Sequence, residues 1–166
     1  LKERHVQMKG IILQFLRDLI SSHPPAHFIS HFNSLSQAVC STLNDSHSKQ
    51  VSADGLRVAE RLVGIMRPKL RSIIASSISS LPDIYQSDNA EEFGVVSQGS
   101  VTPLYQACLL KLQDTEVDSE VKECSIECMG IILAVLGDHL TSNLESSLSL
   151  LLARLKNEIT DRKSVV

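Results

Sequence analysis

Repeated helix stops constrain this sequence more than any other feature. Amphipathic stretches, with apolar residues at three- and four-residue steps, end one after another at residues that break helices. The first runs through Val6, Ile12, Phe15, Leu16 and Leu19 to His23, Pro24 and Pro25, and the third through Leu56, Ala59, Leu62, Val63 and Met66 to Pro68. Pro24 and Pro68 are 44 residues apart. A second marker is a leucine before a polar turn: Leu43 before Asn44 and Asp45, Leu112 before Gln113 and Asp114, Leu155 before Lys156 and Asn157. Leu112 and Leu155 are 43 residues apart. Two markers with one period match the roughly 40 to 47 residues of a HEAT or armadillo-type unit. The predicted class is therefore all-α, a solenoid of antiparallel helix pairs with about three to four repeats, in one array over residues 1–166.

The remaining helices follow the same logic. Phe28, Phe32, Leu35, Val39 and Leu43 predict one helix; Leu104, Cys108 and Leu112 another, with Pro103 near its start. Val121, Cys124, Cys128, Ile131, Ile132 and Val135 predict the next, with Val121 and Ile126 returning to the core, and Leu144, Leu148, Leu151, Leu152 and Leu155 the last. Leu43 and Leu112 are 69 residues apart, 26 more than the period, which places an insertion or loop at 69–100. Leu70, Ile73, Ile74, Ile78 and Leu81 suit one more helix there, followed by a polar loop from Gln86 to Ser100. Long surface insertions cost little stability, so a tolerated insertion is favoured over a partner-seeking loop. A repeat cannot bury its own apolar face, so Val6, Phe15 and Leu148 in the end helices are expected to be partly exposed.

Composition removes several function classes. With 16 Lys and Arg against 19 Asp and Glu, the net charge of −3 argues against a nucleic-acid binder. The longest apolar run, Ile131 to Leu136, is far below the roughly 20 residues that span a bilayer, so no membrane partner is expected. The first residues lack a secretory pattern, which predicts an intracellular protein, cytoplasmic or nuclear. A start at Leu1 rather than Met suggests a piece of a longer polypeptide. Cys40, Cys108, Cys124 and Cys128 sit among apolar residues at helical spacing, as buried reduced thiols do. Zinc is the weaker reading, since no CxxC or HxxxH completes a site, and the pair His27 and His31 suits surface packing. No phosphate loop, GxSxG elbow or HExxH is present, so no enzyme, cofactor or small-molecule substrate is expected.

A protein partner is the remaining class, and charge suggests where it binds. From Arg57 to Arg71 five basic residues face only Glu60, whereas from Asp83 to Glu127 ten acidic residues face only Lys111 and Lys122. The ridge of Asp114, Glu116, Asp118 and Glu120 can steer a basic partner; a solvated face is an equal reading. Arg57, Arg61, Glu116 and Glu120 are the candidate interaction residues. Asp118 or Ser119 can also cap a helix start, with Glu120 complementing its dipole.

The stretch Asp118 to Thr160 resembles the cullin-associated and neddylation-dissociated protein family, a large HEAT-repeat solenoid. The likeness rests on Glu120 to Glu123 ("EVKE"), Ile126, Cys128 to Gly130 ("CMG"), Gly137 to Leu140 ("GDHL") and Asn157 to Thr160 ("NEIT") in fixed order, supported by Arg61 to Pro68 ("RLVGIMRP"). Two departures are the ending Asp161 to Val166, where the family continues into another helix, and the longer segment 69–100. The resemblance implies a segment from the N-terminal half of a non-enzymatic regulator. Such proteins wrap a cullin and its RING protein, prefer the cullin without its ubiquitin-like modifier, and promote exchange of substrate receptors, a step in assembling SCF ubiquitin ligases. Receptor exchange belongs to far C-terminal repeats that this chain lacks. A nuclear-transport receptor or a phosphatase scaffold shares the period but not the quoted run.

Overall fold

A computed structural model describes residues 2–45, 48–66, 90–114, 116–136 and 141–161, all helices and short connections with no strand among them. The helices are α1 (Lys2–Ser22), α2 (Ala26–Ile29), α3 (Phe32–Asp45), α4 (Lys49–Gly64), α5 (Ala90–Gln113), α6 (Ser119–Leu136) and α7 (Thr141–Asp161). They form two rows. In one row α1 packs on α4 and α4 on α6; in the other α3 packs on α5 and α5 touches α7. Short turns fold α3 back on α4 and α5 back on α6, which joins the rows across a common core. This is the expected α-solenoid. The prolines at 24 and 68 follow α1 and α4 of one row, while the turns after Leu43 and Leu112 close α3 and α5 of the other.

The core lies where the rows meet. Leu43, Leu56, Leu62, Leu104, Leu112, Met129 and Ile132 are all fully buried there, and each deleted side chain would leave a cavity. The approach of α3 to α4 is close enough to need a glycine. A Cβ at Gly55 would stand 2.9 Å from Leu43 Cδ2, so the missing side chain lets Leu43 sit against the α4 backbone. Within the second row, Tyr105 on α5 and Ser147 on α7 share a buried 2.6 Å hydrogen bond. The Arg154 guanidinium of α7 donates to the Leu112 and Asp114 carbonyls at the end of α5, 2.9 Å away at Asp114. A helix end leaves carbonyls without partners, and here a neighbouring helix satisfies them with a cation.

The structure changes several expected details. On α1 it buries Leu13 and Ile20, with Leu16 and Leu19 against the core, and leaves Ile12 exposed, while Val6 and Phe15 on α1 and Leu148 on α7 are exposed as expected of end helices. α1 is apolar on two sides and has one row neighbour, so the stripe facing α4 is covered and the other is not. The predicted helix from Phe28 to Leu43 is two, α2 and α3, separated at Ser30 and His31, which removes His27 and His31 from a shared helix. α5 starts at Ala90, so the polar loop expected from Gln86 to Ser100 is helical from Ala90 onward, and Pro103 is interior, not at the start. The buried positions Val101, Leu104, Cys108 and Leu112 keep one helical stripe on both sides of that proline, and packing overrides its penalty. Val121 is in the core as expected, but Ile126 points outward at 39% exposure. The expected helix from Leu70 to Leu81 lies outside the described residues.

Candidate protein-interaction surface

The start of α6 is built from a turn that satisfies its own backbone. Asp118 Oδ1 accepts the Glu120 N–H at 3.1 Å and the Asp118 carbonyl accepts the Lys122 N–H at 3.0 Å, so Asp118, not Ser119, caps the helix. One turn earlier Asp114 Oδ1 accepts the Glu116 N–H at 2.9 Å. Short side chains that bond the backbone two residues on are what Asp supplies in turns, which accounts for two of the four acidic residues of the ridge.

The two rows of charge seen in the sequence meet at this point. Arg57 on α4 reaches Glu120 Oε1 on α6 at 2.8 Å and its neighbour Asp54 Oδ1 at 3.2 Å. The hydrogen bond to Glu120 is the first cause that raises the Arg57 pKa above its already high value. Lys49, at the start of α4, reaches Asp118 Oδ2 at 3.3 Å. Asp118 titrates below the ordinary carboxylate range, first because the Glu120 N–H bonds it and second because Lys49 faces it. The chain Asp54, Arg57, Glu120, Asp118 and Lys49 thus ties α4 to α6 along one edge of their interface.

Of the four candidate residues, the fold brings Arg57 and Glu120 together as partners of each other. Arg61 is exposed one turn further along α4, and Glu116 is exposed in the turn before α6. An open polar groove of about 460 Å³ adjoins this edge, lined by Lys49, Lys111, Asp114, Glu116, Asp118 and Val121 among others. Lys49 and Lys111 therefore flank the acidic turn, a pairing hidden in the sequence by their separation of 62 positions. Among the described residues no group of three His, Cys, Asp or Glu is arranged to hold a metal ion, and no helix is long and apolar enough to cross a membrane.

A fold of stacked helix pairs presents surface, and comparison with known proteins identifies which array this is. The family model described as CAND1-like, TPR repeats matches residues 2–129. The chain belongs to that family. Cullin-associated NEDD8-dissociated protein 1 of Drosophila melanogaster is 34% identical over 158 residues, 95% of this chain and 11% of the relative. The Arabidopsis thaliana protein of the same name is 32% identical over 148 residues, 89% of this chain and 10% of the relative. Cullin-associated NEDD8-dissociated protein 2 of Mus musculus is 34% identical over 148 residues, again 89% of this chain and 10% of the relative. The chain spans about a tenth of the length of these relatives. No solved structure matches it. The CAND1-like resemblance read from "EVKE", "CMG" and "GDHL" is thereby confirmed, and the family's repeats agree with the two-row solenoid of α1 to α7.

Proposed function

We propose that this chain is a non-enzymatic scaffold segment whose stacked helices form part of the surface by which a longer regulator holds a cullin. The observation that carries the reading is the CAND1-like match over residues 2–129 on a two-row helical array. In the finer form of the proposal, the partner is a cullin with its RING protein, bound better when NEDD8 is absent, as the relatives' names suggest. Promotion of substrate-receptor exchange belongs to the whole regulator, and this segment contributes grip to it rather than performing it. Arg61 and Glu116 are the residues proposed to face the partner. Arg57 and Glu120 also serve the α4–α6 junction, so they are poor probes of contact.

The test is a binding titration against a cullin and RING heterodimer, unmodified and carrying NEDD8. The expected result is saturable binding to the unmodified form that weakens on modification, and that weakens further with Arg61→Glu or Glu116→Lys while the helical content is unchanged. Those rim charges should act mainly on the association rate and on salt dependence. Equal binding to both forms would remove the preference for unmodified cullin, and no binding to either would refute this segment as a cullin contact.

A further inference from the structure

The core holds a pair of thiols whose chemistry the proposed scaffold role does not use. Cys108 on α5 and Cys128 on α6 are both fully buried, and their Sγ atoms share a hydrogen bond at 3.2 Å. α5 and α6 are the two helices of one antiparallel pair, one in each row, joined by the turn from Asp114 to Asp118. A disulfide needs sulfurs about 2 Å apart, so bridging this pair asks for side-chain movement on the order of one ångström rather than a shift of a helix. The other two cysteines are placed differently. Cys124 is one turn from Cys128 on the same helix, where a bond would tie no element to another, and Cys40 approaches Cys108 from α3.

We propose that Cys108 and Cys128 form a redox-sensitive staple: a two-electron oxidant of the peroxide class joins them in a disulfide that locks α5 to α6. In the first step one thiolate sulfur attacks a peroxide oxygen, the O–O bond breaks, and a sulfenic acid and one water result after proton transfer. In the second the other thiolate attacks the sulfenic sulfur, the S–S bond forms and the second water leaves. Two S–H bonds are lost, the sulfurs give up two electrons, and peroxide is reduced to two waters. Burial slows the first step. The hydrogen bond with Cys108 and then desolvation hold the Cys128 thiol well above the ordinary thiol range, and desolvation pushes Cys40 up to about 11. Oxidation therefore proceeds through transient opening of the α5–α6 contact, and the bond, once made, closes that opening. A staple between α5 and α6 would fix how the two rows of the array sit on one another at this helix pair.

The experiment treats the full chain, folded and reduced, with hydrogen peroxide, blocks the remaining thiols, and digests it with trypsin and a Glu-specific protease. Cleavage after Glu123 and Glu127 separates Cys124 from Cys128. The expected result is loss of two of the four free thiols, a linked pair of peptides carrying Cys108 and Cys128, and a Tm raised by several degrees, all reversed by dithiothreitol. Cys108→Ala and Cys128→Ala should each abolish the linked peptide, and Cys40→Ala should retain it. The peptide map of the unaltered chain decides the matter even where a variant fails to fold. Four thiols left free under conditions that oxidise the urea-unfolded chain, a link from Cys108 to Cys40 or Cys124, or a lowered Tm would each overturn the proposal.

Discussion

α1 and α4 are neighbours in one row, similar in apolar content, and opposite in exposure. α4 lies between α1 and α6 and buries Val51, Leu56, Val58, Ala59, Leu62 and Val63 around most of its circumference. α1 has α4 on one side, where Leu13 and Ile20 are covered, and on the other carries Met8, Ile11, Ile12 and Phe15 at 56 to 65% exposure. Those four positions repeat at the same three- and four-residue steps as the buried ones. In a stacked array the amphipathic pattern marks where a neighbour can sit, and the neighbour decides whether the stripe becomes core. The largest expected effect tests this difference directly. Leu56→Ala should lower unfolding free energy by about 2–5 kcal/mol, because its surroundings on α1, α3 and α6 cannot all collapse into the cavity. Phe15→Ala should change it by less than about 0.5 kcal/mol in the same urea titration. Comparable losses at the two positions would show that the outer face of α1 is covered in solution.

A smaller effect is expected at the contact between α5 and α7, which relies on charge-assisted hydrogen bonds as well as apolar cover. Arg154→Ala removes the donors from the Leu112 and Asp114 carbonyls and should cost about 1–2 kcal/mol, reduced from a fully buried case because part of the guanidinium meets solvent. Hydrogen exchange should then rise first at the end of α5 and along α7, with α4 still protected. Uniform loss of protection would mean that the array unfolds as one unit and that the contrast between its ends and its centre has no energetic counterpart.

The parts legible in the sequence are those set by local chemistry. Proline stops, polar turns and helical periodicity yielded the all-α class, the antiparallel helix pairs and the helices α1, α3, α4, α6 and α7, since each signal acts within a few residues. Leu43, Leu56 and Leu112 were identifiable as core because each continues a stripe of apolar residues at helical steps. α1 misled because it has two stripes, and Ile126 because a helix that carries Cys124, Cys128, Met129 and Ile132 inward has apolar residues to spare on its outer side. The extension of α5 back to Ala90 was hidden by Pro103, Gly94 and Gly99, residues with poor helix propensity. At the candidate surface the cap of α6 was legible, because an Asp that starts a helix is a local signal. The pairing of Arg57 with Glu120 was not, since it joins residues 63 positions apart and depends on how α4 meets α6.

Propensity itself can be measured on the outer side of α6. Gly130 sits inside that helix, and a Cβ there would meet nothing within 4 Å. Gly130→Ala should raise stability by about 0.5–1 kcal/mol through reduced freedom of the unfolded chain, with no change in packing. The same substitution at Gly55 lacks that free space, because Leu43 Cδ2 stands 2.9 Å from the new atom. A gain at 130 and none at 55 would separate the open face of the row from its packed interior.

The smallest expected effect concerns acid at the junction that α4 does share with α6. The Asp118 pKa is depressed by the Glu120 N–H and by Lys49, so its folded-state value lies below the roughly 3.9 of an unfolded chain. A depressed carboxylate adds stability that is fully present above the unfolded value and is lost as pH falls through the folded one. The side chain is exposed and the bridge to Lys49 is largely in solvent, so the contribution is modest and salt should reduce it. Asp118→Asn isolates the charge, because Asn caps a helix about as well as Asp while lacking attraction for Lys49 and for the helix dipole. Denaturation midpoints of the two proteins should differ slightly at neutral pH and converge as acid protonates Asp118. A constant difference across that range would place the role of Asp118 in the geometry of its cap rather than in its charge, and would leave the α4–α6 edge held by Arg57 and by the core beneath it.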